Sequence, residues 1–577
     1  MGTVDLAIVG GYLLGLLVLG AALARQAGSG AEAYFLGGRG LPWWALGSSG
    51  MSSNLDVAGT MTIVALFYLF GLHALFIEMR GGVVLPIAVF AAFMGAWHRR
   101  SGVMTTAEWM LLRFGRGPGG RAARTTAALT YTVITIGMVV FFLGAAGKFL
   151  AGLLPFTEFQ CQAGMLAVAL VYTMMSGLQG VVWTDVFQAA LIGLAALYVA
   201  VLGAVQLDSA VAAGWPGADW NFLPPAWANE GLRLDGLDYS AFGWLLMAWA
   251  AKGVLEGLGG SGGSAYMAQR FYAARGEADC RKIGLLWTVL FACRWPMAAG
   301  FAILAAVLGV GAGDPERILP SVLASAFFPE GVRGLVVAAM LAAAMSTFDS
   351  TINAGASYLV NDCYQPLRPS AGGRELVAAG WASSALIVTL GLLLALQVES
   401  VVDVWVAIVI NLFPAFLVPF ALRWFWGRMN GWGFTVGVAA GFAAALAVFW
   451  GAGRWGWNEA AQLGAISGVS LLATVAATWL TAPVPDAEAR AFYEKVRPFG
   501  WWPSAWSAPW RTEHRRECLD GAAALAWQMA TFLCPLALMF RLWTESALLA
   551  LLWTALLIRL WPRPGPPAGT PAAFTQS

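Results

Sequence analysis

Apolar residues run through this chain in stretches long enough to cross a bilayer, separated by short polar connections. About fifteen runs reach the roughly 20 residues that a spanning helix needs, near 4–24, 43–70, 75–97, 125–154, 160–178, 182–206, 240–262, 283–311, 332–360, 376–397, 401–423, 432–452, 461–481, 521–539 and 543–561. Two of them are interrupted, by LGSSGMSSNLDVAGT at 46–60 and by GLGGSGGSAY at 257–266. Clusters of Gly, Ser and Asn weaken a continuous helix. Backbone freed at membrane depth is tolerated only where it lines a cavity or is buried in protein. The breaks lie five helices apart, the spacing of a five-plus-five inverted repeat whose repeats each unwind their first helix around a solute. Close contacts between small residues would account for either break alone, but not for their matching positions.

Composition agrees with a polytopic membrane protein: of 577 residues 59% are hydrophobic and 11% charged, against about 25% charged in soluble domains. Many of the 29 Trp stand near segment ends (Trp43, Trp44, Trp97, Trp215, Trp220, Trp424, Trp426), where an interfacial belt places them. The six Cys occur singly and His73, His98 and His514 are the only histidines, so neither a disulfide framework nor a transition-metal cage is signalled. No basic segment precedes the first apolar run, so a cleaved signal peptide is not expected. Six Lys/Arg fall in 98–124, six in 482–520 and four in 270–282, while 207–239 has one Arg against five acids. The positive-inside rule puts the first three loops in the cytoplasm. The chain then reads as an inner (plasma) membrane protein with its N-terminus outside and its C-terminus inside. The basic residues sit in short loops, so no nucleic-acid partner is implied. The Pro-rich tail, 562–577, reads as disordered.

Charge inside an apolar run is the next anomaly. The segment 334–360, GLVVAAMLAAAMSTFDSTINAGASYLV, carries Ser346, Asp349, Ser350 and Asn353 at helical spacing on one face. A carboxylate at membrane depth is costly and marks function. Hard oxygens of this kind suit a small hard cation, sodium above all.

Several segments then resemble the sodium:solute symporter family, the sodium–sugar, sodium–proline and sodium–sialic acid carriers with the LeuT-like inverted repeat. They are YFLGGRGLPWWALGSSGMSSN (34–54), TTAEWMLLRFG (105–115), GLQGVVWTDVFQ (177–188), AQRFYAARGEADCRKIG (268–284, with Arg275 where Lys is usual) and the segment from 334 to NDCY at 361–364. They cover residues 34–430 in the family's order. The resemblance implies an all-α fold divided as follows: an extra N-terminal helix (1–33), a first repeat (34–206), an outer loop (207–239), a second repeat (240–430), two peripheral helices (431–481), a cytoplasmic loop (482–520) and two C-terminal helices (521–561). About four helices thus follow the core, and the last two are expected at a peripheral or homodimer contact.

The resemblance also implies ligands. The main sodium would be held by the carbonyls of Ser52, Leu55 and Ala343 and the hydroxyls of Ser346 and Thr347. Hydroxyls in apolar helices also bond back to their own carbonyls. A second site would use Asp185, Ser346 and Ser350, with Asp349 in place of a third hydroxyl. Two carboxylates leave three uses open: a second sodium, a proton site, or a pair to a cation such as Lys252. Asp185 would also serve as a helix N-cap. For the solute, Asn54, Asp56, Glu78, Arg80, Lys252, Glu256, Gly260 and Ser264 come into question. This departs from the Asn-Gln pair and aromatic gate of the sugar carriers. The mixed charges favour a zwitterion or acidic sugar, unless they neutralise one another around a neutral solute; Lys252 and Glu256 could be an intrahelical pair.

The expected activity is sodium-coupled import of a small polar solute, with proton coupling or a solute-binding receptor as alternatives. An enzyme is not expected. Gly311–Asp314 spells G-x-G-D but lacks the Tyr-Asp partner of an intramembrane aspartyl protease, and G-x-S-x-G at 259–263 has no strand–turn–helix setting.

Overall fold

The computed structural model describes residues 1–27, 31–81, 85–215, 233–234, 237–260, 265–310, 317–398 and 400–562. Helices dominate. In chain order they are α1 (Thr3–Ala27), α2 (Trp43–Asn54), α3 (Val57–Phe70), α4 (the continuous stretch Pro86–Val89, Phe90–Met94 and Gly95–Ser101), α5 (Thr106–Phe114), α6 (Pro118–Ala151), α7 (Glu158–Ala212), α8 (Phe242–Leu258), α9 (Ala265–Tyr272), α10 (Glu277–Phe291), α11 (Arg294–Leu308), α12 (Val332–Tyr358), α13 (Gly373–Ala395), α14 (Pro414–Phe425), α15 (Gly431–Trp455), α16 (Glu459–Leu480), α17 (Asp486–Val496), α18 (Arg511–Met539) and α19 (Trp543–Leu560). A two-residue ladder pairing Arg233–Leu234 with Leu237–Asp238 is the only strand pair among the described residues.

Eleven helices among the described residues are long and apolar enough to span, or twelve if the bent pair Asp403–Leu412 and Pro414–Phe425 is one span. The sequence predicts about fifteen, and the difference has local causes. The run at 75–97 follows Gly71, whose positive φ of 56° interrupts the helix, and is divided into short pieces. The run at 160–178 ends where α7 breaks at Gly177, with φ 55° and ψ −158°. A Cβ there would stand 2.6 Å from the Tyr34 carbonyl oxygen, so only glycine takes that turn. The run at 240–262 yields only the 17 residues of α8 before its Gly/Ser-rich break.

The helix that carries Asp349, α12, lies at the centre of the molecule, packed against α2, α6, α7 and α13 and against α1 from outside the repeats. Its N-terminus is capped by another helix. The buried Asp5 of α1 accepts hydrogen bonds from the backbone N–H of Gly331 and Gly334, both at 2.8 Å. These are groups that a helix start leaves without an internal partner, and the helix dipole adds attraction for the carboxylate. Asp5→Ala should therefore lower stability by about 1–2 kcal/mol, as for other cap deletions. Thermal unfolding in detergent reads this, and an unchanged midpoint would show the cap to be idle.

At the basic end of the bundle, Arg113 donates to the carbonyl oxygens of Arg423 (2.9 Å), Trp426 (3.0 Å) and Gly427 (3.2 Å). Its guanidinium also lies over the rings of Phe492 and Trp502, tying α5 and α14 to the segment after α16. The last two helices do not stand apart as a pair. α18 packs on α4, α10 and α11 of its own chain, with Glu513 bonded to Arg100 (2.9 Å) and Asp520 to Arg281 (3.0 Å). Of these two helices, α19 presents the more apolar outer face, through Leu548, Leu551 and Ile558.

Candidate functional site

Where α2 ends, the backbone leaves the helical region at Leu55 (φ −97°, ψ 69°) and resumes in α3 after Asp56, which caps α3 through the Gly59 N–H. A helix end leaves its last carbonyls without intrahelical donors, so each must be accounted for. The Met51 carbonyl receives the Leu55 N–H at 3.1 Å. The Ser53 carbonyl receives the Tyr266 hydroxyl of α9 at 3.1 Å, and the Asn54 carbonyl receives Arg294 of α11 at 2.9 Å. Among the described residues no hydrogen bond reaches the carbonyls of Ser52 and Leu55. These are the two that the family resemblance assigns to sodium.

α12 brings its hydroxyls to the same place. Ser346 Oγ is 3.0 Å from Ser52 Oγ and 2.5 Å from Asp185 Oδ1. Thr347 Oγ1 bonds back to the Ala343 carbonyl at 2.9 Å, the local bond expected of a hydroxyl in an apolar helix. Thr347 Oγ1 is the donor in that bond and keeps its own lone pairs for an ion. All five residues are buried.

Asp185 lies inside the second half of α7, far from any helix start, so it is no N-cap. Its carboxylate accepts from Ser49 (2.5 Å) and Ser346 (2.5 Å), and Arg270 of α9 stands 3.4 Å from Oδ2. The Arg270 guanidinium is fully buried. Its Nη2 is surrounded by Ser350 Oγ at 2.5 Å, Ser49 Oγ at 2.9 Å, Ser53 Oγ at 3.2 Å and that carboxylate. Ser350 Oγ in turn donates to Asp349 Oδ1 at 3.3 Å. Asp349 is buried too. The cation beside these acids is thus Arg270 and not Lys252, which the sequence reading offers. On the outer side of the cluster, Tyr12 of α1 accepts from Gln188 Nε2 at 2.8 Å and approaches Met345 Sδ at 4.0 Å.

The residues expected around the solute divide into pairs. Lys252 and Glu256, one turn apart on α8, meet at 2.5 Å with both side chains fully buried, and the ammonium sits over the Phe413 ring. Asp56 faces Arg294 at 3.8 Å. Asn54 donates to the Tyr266 hydroxyl at 2.7 Å, whereas its Oδ1 accepts no hydrogen bond among the described residues. Glu78 is buried. Gly260 adopts φ +67° against His98, where a Cβ would lie 2.5 Å from the imidazole. Just before it, the Gly259 carbonyl at the end of α8 is held by Arg423 (3.0 Å) and Trp424 (3.2 Å). Ser264, the Arg80 side chain and Gly311–Asp314 lie outside the described residues.

Arg270, Arg294, Tyr266 and Tyr12 enter the site without having been singled out from sequence. Arg294 carried a readable signal, since it lies inside the apolar run 283–311 and an arginine there marks a buried partner or a polar path. Arg270 was hidden because it counted among the four basic residues of 270–282 that set orientation.

Comparison with known proteins follows the same lines. The model of the sodium:solute symporter family matches residues 34–441. A sodium/glucose cotransporter of Vibrio parahaemolyticus is 26% identical over 448 residues, covering 72% of this chain and 79% of that protein. A sodium/myo-inositol cotransporter 2 of Oryctolagus cuniculus is 24% identical over 495 residues (76% and 69% covered). A sodium/sialic acid symporter of Aliivibrio fischeri is 24% identical over 413 residues (68% and 75% covered). Among solved structures, the substrate-bound outward-open state of a Na+-coupled sialic acid symporter aligns with a TM-score of 0.68 at 20% identity, covering 84% of this chain and 99% of that one. The fold is the five-plus-five inverted repeat.

Proposed function

The chain belongs to the sodium:solute symporter family and is a multi-pass, sodium-coupled symporter; on that premise, we propose that its main sodium is held by the carbonyls of Ser52, Leu55 and Ala343 and the hydroxyls of Ser346 and Thr347. The observation that carries this is the carbonyl count at the end of α2. Of the acceptors freed by the break, Ser53 and Asn54 are taken by side chains, whereas the carbonyls of Leu55 and of Ser52, whose hydroxyl meets Ser346 of α12, have nothing bonded to them among the described residues. Five neutral oxygens suit a monovalent ion. A second cation site comprises Asp185, Ser346, Asp349 and Ser350.

Sodium entering from outside braces α2 against α12, solute closes the pocket, and one repeat rocks against the other to release both inside. Coupling comes from the different affinities of ion and solute for the two states. Each sodium moving inward through about 100 mV supplies about 2.3 kcal/mol. This orientation places the N-terminus outside and the basic loops in the cytoplasm of an inner (plasma) membrane. The reaction is vectorial and needs no catalytic side chain.

For the solute, pairing of the buried charges supports a neutral class. Lys252 and Glu256 neutralise each other, as do Asp56 and Arg294, so a charged solute would have to break an existing pair. Asn54 Oδ1 offers a buried acceptor to a hydroxyl donor. A neutral polyhydroxylated solute, a sugar or cyclitol, fits best, in keeping with the glucose and myo-inositol named for two relatives. A thermal-shift screen of the purified protein in sodium should then respond to neutral hexoses or inositols and not to sialic acid or amino acids. Stabilisation by charged solutes alone overturns this class, and a response that persists when choline replaces sodium overturns the coupling.

A further inference from the structure

The second cation cage already holds a cation, tethered to the chain. Around Arg270 Nη2 stand three hydroxyls and a carboxylate, acceptors from α2, α7 and α12. The contact to Asp185, at 3.4 Å, is long for a charge-assisted hydrogen bond, which closes to about 2.7–2.9 Å. The tightest contact instead is with Ser350, at 2.5 Å, whose hydroxyl also touches Asp349. The guanidinium therefore leans away from Asp185, along a hydroxyl shared with the second carboxylate. With Arg270 charged and both acids ionised, this buried group carries one net negative charge, which a single added monovalent cation would cancel.

We propose that Arg270 is an internal competitor for the second sodium: it occupies the Asp185 cage when that sodium is absent and moves onto Asp349 when sodium arrives. Asp349 is the receiving carboxylate, and the move exchanges one buried ion pair for another instead of leaving two cations side by side. The fixed length of the Arg270 side chain and the shared Ser350 hydroxyl make the displacement short. This inference rests on the second-site reading above but narrows Asp349 from a ligand of that sodium to the acceptor of Arg270, and its test separates the two.

The measurement is equilibrium binding of radiolabelled sodium, with no solute, to the purified full-length protein. Asp349→Ser takes away the receiving carboxylate, so the second sodium must bind beside an unmoved guanidinium. Its affinity should fall at least about tenfold, the low end for a close buried charge pair. Arg270→Gln empties the cage and should raise that affinity by a similar factor. The double variant should bind the second sodium as tightly as Arg270→Gln alone, so that Asp349→Ser is harmful only while Arg270 is present, a non-additivity of the kind a double-mutant cycle measures. Arg270→Met supplies a second neutral replacement if the Gln variant does not fold. Asp349→Glu, which keeps a carboxylate, should retain the second sodium. Equal losses from Asp349→Ser with and without Arg270 would make Asp349 a direct ligand and overturn the exchange. If wild type binds a single sodium, or if Asp185→Asn binds as many as wild type, the second site itself is refuted.

Discussion

Replacing Ser346 and Thr347 together by alanine is expected to abolish sodium-dependent uptake into vesicles while leaving the protein folded. The two hydroxyls are the side-chain half of the proposed main site, and Ser346 meets the hydroxyl of Ser52, one of the two residues whose carbonyls stay free at the end of α2. An interaction with a charged partner contributes about 1.5–3 kcal/mol. Two lost ligands thus weaken sodium by roughly a hundred- to ten-thousand-fold, at about 1.4 kcal/mol per factor of ten. Alanine is the better helix former, so α12 should persist. The Thr347 bond to Ala343 lies within one helix and is not needed to hold the bundle. Uptake with wild-type sodium dependence in the double variant would remove both residues from the ion site.

The second large effect is on stability. Lys252→Met leaves Glu256 buried without its partner, a loss of about 3–5 kcal/mol, enough to deplete folded protein in detergent. Combining it with Glu256→Leu should restore most of that loss, because a buried pair replaced by apolar side chains of similar volume is often neutral or stabilising. The ammonium already lies over the Phe413 ring, so a methionine finds apolar company there. The double variant also tests the solute class. If it is stable and still transports, the pair is a strut beside the pocket. If it is stable and inert, the pair binds solute, and the choice of a neutral polyol is wrong. Fluorescence-detected unfolding and uptake by the same preparation separate these results.

Both predictions draw on residues read from the chain, yet they were legible to different degrees. The breaks announced themselves because Gly, Ser and Asn in an apolar run cannot be explained by burial alone. Asp349 was conspicuous for the same reason. The partnership of Asp185 with Arg270 was not. It joins α7 to α9 through hydroxyls on α2 and α12, elements separated by long stretches of sequence, and nothing in spacing or periodicity says that they meet. Arg294 shows the intermediate case, visible as an anomaly in its span although its partners, Asn54 and Asp56, were not. The cap of α12 by Asp5 belongs with Arg270, since a helix start normally takes its cap from the residues just before it.

The attachment of α18 was not legible for a related reason. Its apolar run matches no core helix in sequence order, and a peripheral place followed from that. Its acids, however, are spaced to meet arginines at the ends of α4 and α10.

Sequence by itself determined the place of most spans, the break at the end of α2, the family and the oxygen-rich face of α12. Those properties depend on the hydropathy and local backbone preference of contiguous residues. Only the tertiary structure decided which charges are paired, which carbonyls stay open for an ion, and that a guanidinium stands in the second cage. These outcomes depend on which helix faces meet. In a low-dielectric interior, a partner a few ångströms away settles whether a charge is a strut, a ligand or a competitor.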